Sequence, residues 1–559
     1  MRVFVLFLFT PLLLNAQTGF TDITEAAGID HYFEVYEGLF GGGIAVLDLN
    51  NDGYEDFYMT SGMRNDVLYL NNGNGTFTDI HKKAGLGITY NYVTQAVVSA
   101  DFNRDGWVDL LVTTINSKDN LQQIPRAKNL VFLNNGDYTF RDVTTEYGLD
   151  DMYSFSTGAN VGDINADGYP DVYIGNYFLE YEGKLSHISD ATIVNANNKA
   201  KGYLLMNKNG KRFENEYAKY GLTHTGFGFG GLFTDYDNDG DQDLFIVNDF
   251  GYKAIPNFVW ENLFPKKKFK DVSKELEMDL KINSMGAAVG DYNNDGYLDY
   301  FMTNIRVNKF MVNQGPGNAF VDQLKELGLK YIGISWGANF ADFDHDGDLD
   351  LFVTNGDLNP NCVPMGNFYF ENEHGVFKEK GREMGVNDYG LGRGSVILDI
   401  DNDGDMDILF INQKAVLEYP VASTTRLLRN DLAKGNWLKV QLKGIEAESN
   451  GIGSRVQIVV GNTRMLREID GGGSSHMSQN STIAHFGLGT ATKVDSVIVT
   501  WLGNKKQILL NQEVNQLLTI TENQLSPSYL TWYTIVIVLG IALASILIIY
   551  FKKSTKRAH

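Results

Sequence analysis

Residues 235–243 read DYDNDGDQD, five aspartates in nine positions with a glycine at the sixth. Carboxylates crowded like this repel one another unless a cation sits among them. A hard divalent ion such as Ca²⁺ takes six to eight oxygens at roughly 2.3–2.6 Å, and a loop of this kind supplies them. The spelling D-x-[DN]-x-D-G-x-x-D recurs seven times, starting at Asp48, Asp101, Asp163, Asp235, Asp291, Asp342 and Asp399. The spacings are 53, 62, 72, 56, 51 and 57 residues, a near-regular period that marks repeated supersecondary units.

Positions 1, 3, 5 and 9 offer side-chain oxygens, and position 7 offers a backbone carbonyl. The candidate ligands are therefore Asp48, Asn50, Asp52, Tyr54 and Asp56 in the first loop, and Asp101, Asn103, Asp105, Trp107 and Asp109 in the second. The third has Asp163, Asn165, Asp167, Tyr169 and Asp171; the fourth has Asp235, Asp237, Asp239, Asp241 and Asp243. Asp291, Asn293, Asp295, Tyr297 and Asp299 form the fifth, and Asp342, Asp344, Asp346, Asp348 and Asp350 the sixth. Asp399, Asp401, Asp403, Asp405 and Asp407 form the seventh. Position 7 varies freely, as expected if only its carbonyl is used. An EF-hand shares the D-x-D-x-D-G start but needs a glutamate at position 12 and flanking helices. Position 12 here is Met59, Val112, Ile174, Ile246, Met302, Val353 or Phe410, all apolar, so that reading fails. A metal-free Asx turn would explain one such loop. It does not explain a carboxylate kept at position 9 seven times.

The elements that position these loops are strands. A Gly/Ala-rich segment precedes each loop and a β-rich apolar run follows it, as in MGAAVG before and DYFMTN after the fifth. A third run ending in Asn and a short Phe-led fourth complete the unit. Four strands in each of seven repeats predict an all-β, seven-bladed β-propeller over residues 17–430, with the small-residue strand innermost. The repeat phase predicts that the FTDIT stretch at 20–24 completes the last blade and closes the ring.

These repeats resemble the FG-GAP/VCBS repeats of integrin-α-type propellers over about residues 20–430. The resemblance implies Ca²⁺, up to seven ions, on the residues at positions 1, 3, 5, 7 and 9. The following residues, 431–523, hold SNGIG, HFGLG and VDSVIVTW. In combination they resemble the ASPIC/UnbV domain of bacterial proteins and of the cartilage acidic protein family. That domain reads as a small β-sandwich after the propeller.

The formal net charge is −22, and the loops' 24 aspartates at positions 1, 3, 5 and 9 account for it. With no basic stripe, nucleic acid is excluded as a partner. Residues 1–16 read as a signal peptide. After a linker at 524–530, residues 531–551 form an apolar run long enough to span a bilayer, followed by a basic tail at 552–559. The expectation is a single-pass membrane protein whose bulk is periplasmic or extracellular. The single cysteine, Cys362, allows no intrachain disulfide.

No nucleophile-elbow, zincin or P-loop spelling is present. The favoured function is a calcium-binding adhesion scaffold for a glycan or protein. The alternative is a polysaccharide lyase or hydrolase using Tyr177, Tyr181, Lys184, His187, Lys201 and Tyr203. His345, at position 4 of its loop, is expected to face solvent. Long insertions at 116–129, 176–202, 249–257 and 356–367 are expected to build one ligand-binding rim on blades 2, 3, 4 and 6.

Overall fold

A computed structural model describes residues 19–36, 40–119, 127–179, 199–357, 363–432, 434–473 and 475–523. The expected signal peptide, linker, membrane span, tail, Tyr181, Lys184, His187 and Cys362 lie outside them. Among the described residues no helix is long and apolar enough to cross a membrane.

The repeats fold as seven small antiparallel sheets in a propeller-like ring. Blade 1 pairs Ile44–Leu47, Asp56–Met59, Val67–Asn71 and Phe77–Asp79 in that order. Blades 2 to 6 repeat the order over 92–142, 156–215, 228–271, 287–322 and 333–379. Blade 7 takes Leu391–Leu398, Asp407–Gln413 and Arg426–Asn430, and its fourth strand is Phe20–Asp22. There Phe20 pairs with Asn430 and Asp22 with Leu428, so both ends of the ring meet in one sheet and neither leaves a free edge.

First strands line the axis because their small residues allow close approach. A Cβ on Gly158 would lie 2.5 Å from the Phe229 carbonyl oxygen of the next blade. Aspartate loops join first to second strands and so share one end of the ring. The second-to-third connections share the other.

The last two sheets, from Asn436–Lys443 to Leu517–Thr521, have three and four strands. They do not merely follow the ring; they sit on its aspartate end. Residues 471–473 and 475–480 lie along the axis and reach all seven blades. Gln479 exchanges backbone hydrogen bonds with Ile44 and Val46, and its side chain bonds both Ser99 backbone groups. Val161 N–H donates to the Gly471 carbonyl, and His476 Nδ1 lies 2.7 Å from the Met285 carbonyl. Asn480 Oδ1 accepts from Ile397 N–H and Asn339 Nδ2. Gly473 has φ +75, and a Cβ there would meet the Gly231 carbonyl oxygen at 2.1 Å. Only glycine fits that passage.

Candidate metal loops and the face that covers them

Each aspartate loop folds around its first carboxylate. In all seven, the N–H of the glycine at position 6 donates to Oδ2 of the aspartate at position 1, at 2.8–3.0 Å. The position-7 N–H donates to Oδ1 of the aspartate at position 5, at 2.9–3.1 Å. The glycine has φ of 83–100°, and position 4 is also left-handed at 51–64°, even where it is Arg104, Ala166 or His345. The turn thus needs αL at two places; the sequence announces the glycine in every loop and position 4 only where it is Asn51, Asn238, Asn294 or Asn402.

Position 9 does a different job. Its carboxylate is buried in every loop, at most 2% exposed. Oδ1 accepts the backbone N–H of the Asn ending the third strand at 2.7–2.8 Å. That Asn then donates from Nδ2 to the position-2 carbonyl of the preceding blade's loop, at 2.8–3.1 Å. Asn134 bonds Leu49 in this way, Asn207 bonds Phe102, and so on until Asn71 reaches back to Ile400. The seven bonds form a closed circle. The repeated terminal Asn is visible in the sequence, yet its role across blades is not.

Three carboxylates converge in each loop whose position 3 is aspartate. Oxygens of Asp235, Asp237 and Asp239 lie within 4.8 Å of one another, as do those of Asp342, Asp344 and Asp346. In the seventh loop the group is Asp399, Asp401 and Asp407. The other four loops have Asn at position 3, whose Nδ2 donates to Oδ2 of the position-5 aspartate at 2.8–3.0 Å. These loops quiet part of their own repulsion. Asp171 Oδ2, Asp241 Oδ1, Asp299 Oδ2 and Asp399 Oδ1 are buried without a hydrogen-bond partner. Such orphaned carboxylate oxygens fit a cation.

Without a metal, burial pushes the carboxyls upward. Asp56 and Asp109 rise to about 8 and Asp163 to about 7. Burial, with Asp239 next, raises Asp237 to about 6 and Asp241 to about 8.

The C-terminal sheets bring cations to this face. Lys439 Nζ lies 2.5 Å from Asp399 Oδ2, both buried. Arg455 Nη1 lies 3.4 Å from Asp235 Oδ2, and its Nε lies 3.2 Å from Glu468. Ser449 Oγ donates to Asp101 Oδ2 at 2.9 Å, and Arg104 reaches the Ile445 and Ala447 carbonyls. His345 does not face solvent. It is buried, with Nε2 3.1 Å from the Gly404 carbonyl and its ring 5.0 Å from that of His485, because the C-terminal sheets cover its loop.

Of the six residues read as a possible enzyme site, the described ones do not assemble one. Tyr177 is buried and donates to Asp249 at 2.6 Å; Lys201 is exposed; Tyr203 OH is 3.5 Å from the Tyr153 carbonyl. The rim opposite the aspartate loops also gains a long connection from blade 7, residues 414–425, that sequence reading passed over.

The FG-GAP-like repeat profile matches residues 48–112, 121–174, 235–302 and 291–353, and the profile described as ASPIC and UnbV matches 444–527. Cartilage acidic protein 1 of Mus musculus is 26% identical over 300 residues, 50% of this chain and 43% of that protein. That of Xenopus tropicalis is 25% identical over 513 residues, 86% of this chain and 73% of that protein. The chain thus spans under half the length of the mouse relative. Among solved structures, an Agrocybe aegerita lectin that recognises non-reducing terminal N-acetylglucosamine aligns at 16% identity and a TM-score of 0.38, over 70% of this chain and 95% of that one. At that score the likeness carries nothing about function.

Proposed function

The chain carries FG-GAP-like repeats followed by an ASPIC and UnbV domain, and on that premise we propose that it is a calcium-braced binding scaffold. Residues 531–551 hold it at a membrane with its bulk outside the cytoplasm, and it presents its open rim to a glycan or protein. Calcium would be held by the carboxylates and amides at positions 1, 3, 5 and 9 and by the position-7 carbonyl. The ion would supply charge neutralisation, and so rigidity, where other exported proteins use disulfides.

One observation carries the choice of face. The aspartate end and the axis are occupied by the chain's own C-terminal sheets, which leaves the opposite rim free. That rim carries Tyr153, Leu179, Tyr252, Ile332, Tyr389 and Leu417, all exposed. Aromatic and aliphatic groups on connections held by a rigid ring suit a partner surface. The test is capture of glycans and proteins by the purified full chain, with calcium and with EGTA. Replacing 180–198 by a short turn, which keeps the buried Tyr177, Phe178 and Ala200, should abolish capture and leave the melting temperature within a few degrees of the parent. Capture that survives this replacement, together with a matching one at 414–425, overturns the rim reading.

A further inference from the structure

The C-terminal sheets leave an apolar strip uncovered among the described residues. The strands Lys493–Trp501 and Lys505–Glu513 pair antiparallel, and the second is the edge of its sheet. Their inward residues Val494, Val497, Val499 and Trp501 are buried. Outward, Ile508 and Leu510 are 58% and 64% exposed, and Ile508 stands opposite Ile498. Edge strands usually carry charge there, because exposed aliphatic edges invite association. Here the only charge beside the pair on that side of the strand is Lys506.

The chain leaves the sheets against this same strand. Gln507 donates to the Thr521 carbonyl and accepts from Asn523 N–H, both at 3.1 Å. Glu522 is pinned by the N–H groups of Ile445, Glu446 and Ala447 at 2.7–2.9 Å. The exit point is therefore fixed. Seven residues, 524–530, separate it from the apolar run. Fully extended, they reach about 24 Å.

We propose that Ile508 and Leu510, with Lys506 beside them, rest in the head-group layer of the membrane that holds residues 531–551. The strand Lys505–Glu513 is then a second, peripheral membrane contact that sets how the ring stands on the bilayer. This rests on the anchoring reading above. Two aliphatic side chains and one lysine are too few to hold a free protein at a membrane. The short tether changes that, because it makes the contact intramolecular and keeps the strip at high effective concentration near lipid. The lysine stem lies along the apolar strip while its ammonium stays among phosphates.

The test uses the full chain carrying Cys362→Ser, reconstituted into vesicles of phosphatidylcholine and phosphatidylglycerol. An environment-sensitive dye is placed at Lys506→Cys, or at Thr463→Cys on the opposite edge of the same sheet. Spin-labelled lipid should quench the first several-fold more than the second. Adding Ile508→Ser and Leu510→Ser should remove that difference, which also controls for partition of the dye itself. Equal, water-like emission at both positions, in chain that survives an alkaline carbonate wash, overturns this proposal alone. Chain released by the wash overturns the anchoring reading and this proposal with it.

Discussion

Asn134→Ala tests whether the circle of asparagines ties the blades together. Asn134 is buried, and its Nδ2 donates to the carbonyls of Leu49 at 2.9 Å and Val108 at 3.2 Å. Its Oδ1 accepts Gly136 N–H at 2.9 Å. Truncation removes all three bonds and strands the Leu49 carbonyl in the neighbouring blade. At about 1 kcal/mol for each bond, the loss is about 3 kcal/mol. Unfolding entropy is roughly 2.1 cal/mol/K per residue, hence about 1 kcal/mol/K for some 500 residues, so the melting temperature should fall by about 3 K. Leu49 lies between Asp48 and Asn50, so the calcium-dependent part of the melting temperature should shrink as well. Scanning calorimetry of Asn134→Ala and of Asn135→Ala, each with calcium and with EGTA, gives both numbers. Asn135 is exposed and bonds only its own turn at Thr139, so its removal should change little. A shift below about 0.5 K for Asn134→Ala would mean that the interblade bond contributes nothing net, and the circle would be a geometric by-product.

EGTA should lower the melting temperature sharply, since each site emptied costs about 2.7 kcal/mol of stability when free calcium had stood 100-fold above its dissociation constant. Mg²⁺ should restore it poorly, since its octahedral demand suits these loops less. The pH dependence should reverse with calcium. In EGTA, Asp56 and Asp109, raised from 3.8 to about 8, bind more protons folded than unfolded; their contribution is full below pH 3.8 and is lost as pH rises through about 8. In calcium the carboxylates must be ionised to hold the metal, so stability should instead fall as pH drops, and parallel melts from about pH 4 to 8 that slope the same way would refute this. Arg455→Met should cost about 3–5 kcal/mol in calcium-free denaturant melts, because it leaves Asp235 and Glu468 buried without their cation. Calorimetric titration should resolve three tight calcium sites, in blades 4, 6 and 7, from weaker ones; seven equal sites would contradict the ligand count.

The ring was legible because its signals are local and repeated. Each loop, each small-residue strand and each Phe-led fourth strand is spelled within a few residues, and the offset of the first Phe-led strand shows how Phe20–Asp22 closes blade 7. The C-terminal sheets were legible as strands, but their placement was not. Their docking depends on single residues such as Lys439, Arg455 and Ser449 meeting loops hundreds of residues away, and no spacing rule links those positions. The run DGGGSSHMSQN held a partial signal. Its Gly471–Gly473 suit a narrow axis, and His476, Gln479 and Asn480 supply the polar groups that meet the blades. His345 was misread because position 4 faces solvent in an isolated turn, and here another unit covers that turn.

Position 7 was misread for a subtler reason. Taken alone, Tyr54, Trp107, Tyr169, Asp241, Tyr297, Asp348 and Asp405 look unconstrained. Set beside position 3 they sort without exception: an aromatic follows Asn and an aspartate follows Asp. The structure supplies the reason. In three of the Asn loops the aromatic covers the glycine of the neighbouring turn, with Tyr54 3.2 Å, Trp107 2.6 Å and Tyr297 3.4 Å from where a Cβ on Gly73, Gly136 or Gly315 would stand. Those loops keep three carboxylates and an internal Asn–Asp hydrogen bond, and they are braced by packing. The three all-aspartate loops give up both devices and gather five carboxylates instead, with Asp241 Oδ1 and Asp399 Oδ1 left unpartnered. Charge of that density needs counter-charge, which Arg455 and Lys439 supply in part at Asp235 and Asp399, and affinity for Ca²⁺ rises with the number of charged ligands. The same nine-residue spelling therefore folds in two ways, one braced by packing and an internal hydrogen bond, the other a cluster of carboxylates suited to a cation.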